Sequence, residues 1–339
     1  MTCTDGNHQW IGVDLAKDSF DAAIAPEDIA PTQWRRLSVE HFENTPEGRR
    51  AFSAWIQRQG DLRQCRRIVV ESTGSLARRF ADDIGGKGLP PVAVVNPARP
   101  RHFGRSLGVR DKSDRVDAAI LAVYGATHRP EATPERSPTH QRLRDLSRLR
   151  EDLVADRTAW SNRLGESLDR FADQMIKRRL RQIDAEIARV DKEIDRLIED
   201  DEKLATDRRL LLTIAGIGPV TAHTLLAELG DLSQWGRGEI VSQAGLFARE
   251  HTSGTSVRRR PRLARGGGGR LRRVLYLGAT SLLSREGPLA EWARRLVARG
   301  KSKMAAIGAM MRKLLLIARA VIRSRRPFDP ALVGGREMP

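Results

Sequence analysis

Ile11-Gly12-Val13-Asp14 and Ile68-Val69-Val70-Glu71 are two short apolar runs that each end in an acid, and their reading decides the fold. Runs of this length bounded by polar and turn residues read as buried strands. Working outward, the first strand covers Trp10 to Asp14, and Phe20 to Ile24 reads as its hairpin partner. A third strand is expected from Arg36 to Phe42. Pro46 opens a helix through Ala51, Phe52, Trp55 and Ile56 that stops at Gly60. After Glu71 a helix is expected from about Gly74, then a buried strand from Val92 to Val95. Asp114 to Tyr124 reads as a helix with apolar Val116, Ile120, Leu121 and Val123. Hairpin strands followed by alternating strand and helix predict a mixed α/β sheet flanked by helices.

The two strand-terminal acids are a chemical clue. A carboxylate closing an apolar strand is costly unless a solvent cleft or a cation meets it. Asp114 and Asp117 are spaced i, i+3, so they share one helix face. Acids from two strand ends and one helix can converge on a pair of divalent ions, and hard oxygen donors favour Mg²⁺ or Mn²⁺ over zinc. The bland alternative is that strand-end acids are common and first-turn acids merely offset the helix dipole. Asp18, Asp21 and Asp111 compete for the same role; Asp111, flanked by Arg110 and Lys112, reads as a paired surface acid.

Pro130, Pro134 and Pro138 punctuate a linker. From Leu143 to about Leu204 apolar residues recur at spacings of three and four, among them Leu146, Leu149, Leu153, Trp160, Ile183, Ile187, Val190 and Ile194. That pattern predicts two long amphipathic helices, paired as an antiparallel hairpin or in a dimeric coiled coil. The division expected is residues 9–130, 131–207 and 208–330, the last mainly helical.

Two further features bear on nucleic acid. Ala215-Gly216-Ile217-Gly218-Pro219 between apolar helical stretches reads as a helix-hairpin-helix, in which Gly216 and Gly218 permit a tight turn and the second helix offers N–H groups to a phosphate; a plain packing joint is the alternative. Downstream, His251-Thr252-Ser253-Gly254-Thr255-Ser256-Val257 runs into Arg258, Arg259, Arg260 and Arg262, followed by Arg265, four glycines at 266–269, Arg270, Arg272 and Arg273. A serine beside glycine on a flexible, Arg-rich loop can grip and attack a phosphodiester, or can be a solvated loop that only binds the DNA backbone.

Composition agrees with a polyanionic partner. The 339 residues hold 60 Lys+Arg against 43 Asp+Glu, a formal net charge of +17. No apolar run is long enough to span a bilayer, and no signal-peptide core is present, so a cytoplasmic location is expected. Cys3 and Cys65 build neither a disulfide framework nor, with seven scattered histidines, a zinc site.

Taken together, Ile11-Gly12-Val13-Asp14-Leu15-Ala16-Lys17, Val70-Glu71-Ser72-Thr73-Gly74, Val95-Asn96-Pro97 and Lys112-Ser113-Asp114-Arg115-Val116-Asp117-Ala118 resemble the RuvC-like DEDD domain of insertion-sequence 110 type transposases, relatives of the Piv DNA invertases. Ala215 to Gly218, Ala244-Gly245-Leu246, Ser253 to Arg258, Leu271 to Tyr276 and Gly308 to Leu314 resemble the C-terminal transposase domain of that family. The resemblance implies an RNase H-like fold, Mg²⁺ held by Asp14, Glu71, Asp114 and Asp117, and Ser253 as a nucleophile that forms a phosphoserine bond with DNA. It further implies donor and target DNA as substrates and a structured guide RNA in some members; separately, the long apolar stripe of residues 143–204 points to self-association, as a dimer or tetramer. One departure is that Ala264-Arg265 and the glycines at 266–269 replace the usual Ser-Lys-x-Gly-Asn. The other readings left open are a RuvC-like junction endonuclease, which uses the acids on water, and a non-catalytic nucleic-acid-binding scaffold.

Overall fold

The computed structural model describes residues 8–58, 65–72, 76–84, 88–109, 114–133, 137–167, 169–253, 257–263 and 268–333. The chain divides into two compact units, residues 1–135 and 136–339.

The first unit is built on one five-stranded sheet, ordered β3-β2-β1-β4-β5. Its strands are β1 (Gln9–Leu15), β2 (Ser19–Pro26), β3 (Val39–Glu43), β4 (Cys65–Glu71) and β5 (Val92–Val95). β1, β2 and β3 run antiparallel in sequence, whereas β4 lies parallel to β1 and β5 parallel to β4. The third strand begins at Val39, not at Arg36 as the sequence suggested. Residues Pro31–Arg36 coil into a 3-10 turn whose first position is the proline, with φ already fixed for a helical turn.

Helices cover both faces: α1 (Pro46–Arg58), α2 (Leu76–Ile84), α3 (Ala98–Ser106) and α4 (Asp114–His128). Ile11, Val13, Phe20, Ile68 and Val70 point to one face and pack with Phe52, Trp55 and Phe80 of α1 and α2. Trp10 and Val69 point the other way and pack with Leu121 and Tyr124 of α4. Alternation along the strands thus separates two cores. Gly12 is where α4 comes closest: a Cβ there would lie 2.1 Å from the Ala122 nitrogen and 2.3 Å from the Ala118 oxygen.

The second unit is mostly helical. α5 (Pro138–Glu166) and α6 (Arg170–Glu199) form an antiparallel pair within the chain, so the hairpin arrangement is the one present. Ion pairs cross it at Arg142–Glu193, Arg150–Asp191 and Arg157–Asp184, the last two at 2.5 Å. Pro138, which read as linker, is the first residue of α5, where its missing N–H costs nothing, and Ser137 caps the helix. The base of the hairpin is rooted in the C-terminal core through Leu143, Ile194, Leu197 and Ile198.

That core is completed by α7 (Glu202–Leu212), α8 (Pro219–Leu229), α9 (Arg237–Gln243), α10 (Gly269–Leu283), α11 (Pro288–Ala298) and α12 (Lys303–Ser324). Leu314, Leu315, Ala318 and Ile322 of α12 are fully buried at its centre. The stretch read as a flexible loop is ordered differently. β6 (Ala248–Ser253) and β7 (Val257–Leu263) form a two-stranded antiparallel ribbon with Ser253 opposite Val257. β-branched Thr252 and Val257 favour extended backbone, which the strand pairing then satisfies.

Candidate active site

The sheet register sets two of the predicted acids, and the seat of α4 the other two, at one end of the first unit. Asp14 shares the α4 side of β1 with Trp10 and Gly12, and Glu71 shares the α4 side of β4 with Val69, by strict alternation. β1 and β4 are parallel and paired at Gly12–Val69 and Val13–Val70, which sets Asp14 and Glu71 at the same end of neighbouring strands. α4 runs antiparallel to β1. Its Gly125 lies against Trp10, where a Cβ would be 2.9 Å from the indole, and its Ala118–Ala122 backbone lies against Gly12. Two residues further along β1 is Asp14; one turn back along α4 are Asp117 and Asp114. The first turn of α4 therefore overhangs the acid-bearing strand ends. Asp117 and Asp14 are half-buried and Asp114 is exposed. Arg115 ties this turn to the sheet by donating to the Val39 carbonyl at 2.9 Å.

Other groups lie beside these acids, one of them, Arg101, not singled out by the sequence. Glu71 accepts a hydrogen bond from Arg101 of α3 at 3.3 Å, with Glu71 14% and Arg101 63% exposed. α3 is held by Asn96, whose Oδ1 accepts the Ala98 N–H at 2.9 Å, and by Ser72, whose N–H reaches the Val95 carbonyl. The only prior signal for α3 was the Asn96-Pro97 pair, a turn that starts a helix. Asp21, treated as a competitor, lies directly across from Asp14 in the β1–β2 register and is bound by His41 Nδ1 at 2.9 Å. Among the described residues, no three His, Cys, Asp or Glu side chains close around a point that would hold a metal ion. The acids share an end and a face of the sheet but are not drawn together. Their all-oxygen donor set suits a hard divalent cation. Asp111 lies outside the described residues.

In the second unit, α7 and α8 are joined through a turn at Thr213–Gly218. Gly216 has φ +88°, and a Cβ there would lie 2.7 Å from Leu282. Its carbonyl oxygen would be 2.3 Å from a Cβ on Gly278 of α10. Gly216 thus serves close packing of the turn on α10. Gly218 faces open space and leads into Pro219 at the start of α8. Ser253 is the last residue of β6, opposite Val257 at the start of β7. Ser256 and Arg265 lie outside the described residues, as do the side chains of Ser253, Arg258, Arg259, Arg260 and Arg262.

Three candidate DNA-binding arginines are engaged within the protein. Arg270 contacts Glu151 of α5 at 2.8 Å and lies 3.9 Å from Glu228 of α8. Arg273 also pairs with Glu151, and Arg272 donates to the Ala244 carbonyl at 3.2 Å. These contacts knit α5, α8 and α10 together.

Comparison with known proteins gives two family matches in order along the chain. Residues 11–173 match the DEDD family model of IS110 type, described as a transposase. Residues 208–293 match the model described as "Transposase IS116/IS110/IS902 family". The chain is 32% identical over 326 residues to a pilin gene-inverting protein of Moraxella bovis, covering 94% of this chain and 97% of that one. It is 28% identical over 357 residues to the transposase for insertion sequence element IS1328 of Yersinia enterocolitica, covering 95% and 99%. No helix among the described residues is long and apolar enough to cross a membrane. With two domain matches in order and an invertase relative aligned along nearly its whole length, this chain belongs to the IS110 family of transposases and DNA invertases, and is a DNA recombinase of that kind.

Proposed function

We propose that this recombinase cuts and rejoins DNA through a covalent phosphoserine at Ser253, with Asp14, Glu71, Asp114 and Asp117 holding Mg²⁺ in an RNase H-like domain. What supports the metal assignment is the register of β1 and β4 together with the seat of α4, which give the four acids one end and one face. Bound there, divalent ions supply positive charge to a scissile phosphate. The sheet order, three antiparallel strands followed by two parallel ones, agrees with the RuvC-like resemblance.

Serine is a weak nucleophile until its proton is removed and the attacked phosphate is polarised. In the proposed step Ser253 Oγ loses its proton, bonds to phosphorus, and displaces the sugar oxygen, which takes up a proton. One phosphodiester is exchanged for another, so the strand can be rejoined without ATP. Ser253 ends β6, which supports its acting with the arginines that follow on β7 and would supply cations for the DNA backbone. Gly218 and the start of α8 act as a backbone grip of the helix-hairpin-helix type. The α5–α6 hairpin, with Phe171 71% and Met175 49% exposed, supports assembly of more than one copy. Specificity is assigned to a structured RNA.

The test is product analysis on a supercoiled plasmid carrying the element's ends. Wild type should leave a protein–DNA adduct that resists SDS and is absent from Ser253→Ala, which still binds DNA. An adduct lost in Ser256→Ala and retained in Ser253→Ala would reassign the nucleophile. Free nicked ends without any adduct would favour the endonuclease reading.

A further inference from the structure

From Trp292 to Phe328 the sequence contains eleven Lys and Arg and no Asp or Glu, in a chain whose net charge is +17. This stretch comprises most of α11, a turn and α12. Two of its cations are used inside the protein: Arg319 donates to the Trp235 carbonyl at 2.5 Å, and Arg325 pairs with the buried Asp207. The other nine have no ion pair among the described residues, in contrast to the α5–α6 hairpin, where Arg142, Arg150 and Arg157 each meet an acid.

Arg294 and Arg295 are exposed on α11, Arg299 is exposed at its C-cap, and Arg312 is exposed on α12. Lys313 Nζ sits 4.5 Å over the ring of half-buried Trp292, bridging the two helices. Burial, and then the charge of Arg295, push the Lys313 ammonium pKa down. Arg295 lies one turn along α11 from Trp292, so the Lys313 ammonium and the Arg295 guanidinium are set on neighbouring parts of the two helices, where an anion would be met by both. The surface also adjoins the serine ribbon. A methyl group at Gly308 of α12 would touch Leu263, the last residue of β7, at 3.6 Å, and Arg312 is one turn along from Gly308.

We propose that Arg294, Arg295, Arg299, Arg312 and Lys313 form a second grip on duplex DNA, holding the phosphodiester backbone that flanks the strand engaged at the β6–β7 ribbon. Point charges on two helices match phosphates, and the two aromatic residues of the stretch, Trp292 and Phe328, are half-buried. Without exposed rings to stack on bases, the surface suits a duplex rather than a single strand. The inference rests on DNA being the substrate and not on the phosphoserine chemistry.

The experiment is fluorescence anisotropy of the full-length chain with a random-sequence duplex across a KCl series. In the Arg295→Gln/Arg299→Gln/Lys313→Gln protein, binding should weaken about tenfold or more near 0.1 M salt, and the slope of log K against log salt should become shallower by about 2–3, since each phosphate contact contributes about 0.9. Lys177→Gln/Arg178→Gln/Arg181→Gln removes the same charge from the exposed side of α6 and should change the slope by less than about 1. Because Lys313 also covers Trp292, Arg295→Gln/Arg299→Gln is measured beside it, with a circular dichroism melt, and should still lose about 2 units of slope. Equal effects of the α11–α12 and α6 variants would show that net charge alone matters and would overturn the proposal, as would an unchanged slope in the double variant. Weaker binding to a structured RNA with unaltered duplex binding would assign the surface to RNA and overturn it equally. Ser253→Ala should keep the wild-type slope, so a failure of the covalent mechanism is told apart.

Discussion

Asp117 and Asp114 differ from Asp14 and Glu71 in how they reach the proposed metal site, since the first two ride on a helix that Gly12 allows to sit close. Each single change to Ala should reduce adduct formation by roughly 100-fold or more, beyond the usual loss for groups that only orient a ligand. Stability without metal should change little, because Asp14, Glu71 and Asp117 are only half-buried, Asp114 is exposed, and none of them belongs to the apolar cores. Titration calorimetry with Mg²⁺ checks this, and unaltered stoichiometry and affinity in Asp117→Ala would remove that residue from the site. Arg101, which occupies Glu71 here, should compete with metal, so Arg101→Gln should tighten Mg²⁺ binding in the same measurement. A different titration belongs to His223 on α8, 5% exposed. Burial, then Arg150, then Arg208 among its neighbours lower its pKa to about 4, with Asp191 and Asp195 opposing. The unfolded chain binds the extra proton first, so this histidine reduces stability as pH falls from about 6.5 towards 4 and has no effect above that window. The full difference is about 3 kcal/mol. Urea melts from pH 7 to 4 should show a shallower decline in His223→Gln than in wild type; parallel declines would refute the assignment.

At the scale of elements, the closest approach in the first unit is α4 on β1. Gly12→Ala puts a methyl group 2.1 Å from the α4 backbone, so the helix must move. The expected cost is about 3 kcal/mol or more, at the upper end for overpacking, and the acids would be separated with it. Gly165→Ala on α5 meets nothing within 4 Å and should instead stabilise by about 0.5 kcal/mol. Thermal melts of the two variants check both signs. These elements also show what the sequence could disclose. Strands such as Ile68–Val70 are legible because burial on both faces demands an unbroken apolar run. The helix of Asp114–His128 is legible from its periodicity and acidic first turn. α3 was not, because Ala98–Ser106 carries four prolines or charged residues for each large apolar side chain it buries against the sheet, and its start is set by Asn96. Pro138 misled as a linker residue because proline breaks a helix interior yet suits its first turn. The β6–β7 ribbon was missed since its arginines mask the period-two pattern. The strand-end and first-turn positions of the four acids were legible, and Asp21 was named as a competitor; Arg101 was not, because only an unforeseen helix brings it alongside Glu71.

Across the whole molecule, the proposed DNA contacts are all backbone grips: the β7 arginines, the N–H groups at the start of α8 and the α11–α12 surface. Contacts of this kind position a duplex but carry no sequence information. The sequence offers no zinc finger and no recognition helix led by base-reading Asn, Gln or Arg. In the proposed reading, a recombinase acting at chosen sites takes its base readout from another molecule, and pairing with a structured RNA would provide it without any further protein element. RNA bound to the purified chain should therefore be one discrete species, encoded with the element, rather than a sample of cellular RNA. Sequencing the RNA that copurifies from cells carrying the complete element gives the first reading. Changing the paired bases in that RNA gives the second, and should move recombination to a correspondingly altered target. Recovery of only ribosomal and transfer RNA fragments, together with site-specific recombination by RNA-free protein, would refute guidance and return the specificity to protein–DNA contacts. Redirection by altered RNA is the stronger result, because cations that bind any phosphate backbone can retain an RNA passively but cannot translate its sequence into a choice of DNA.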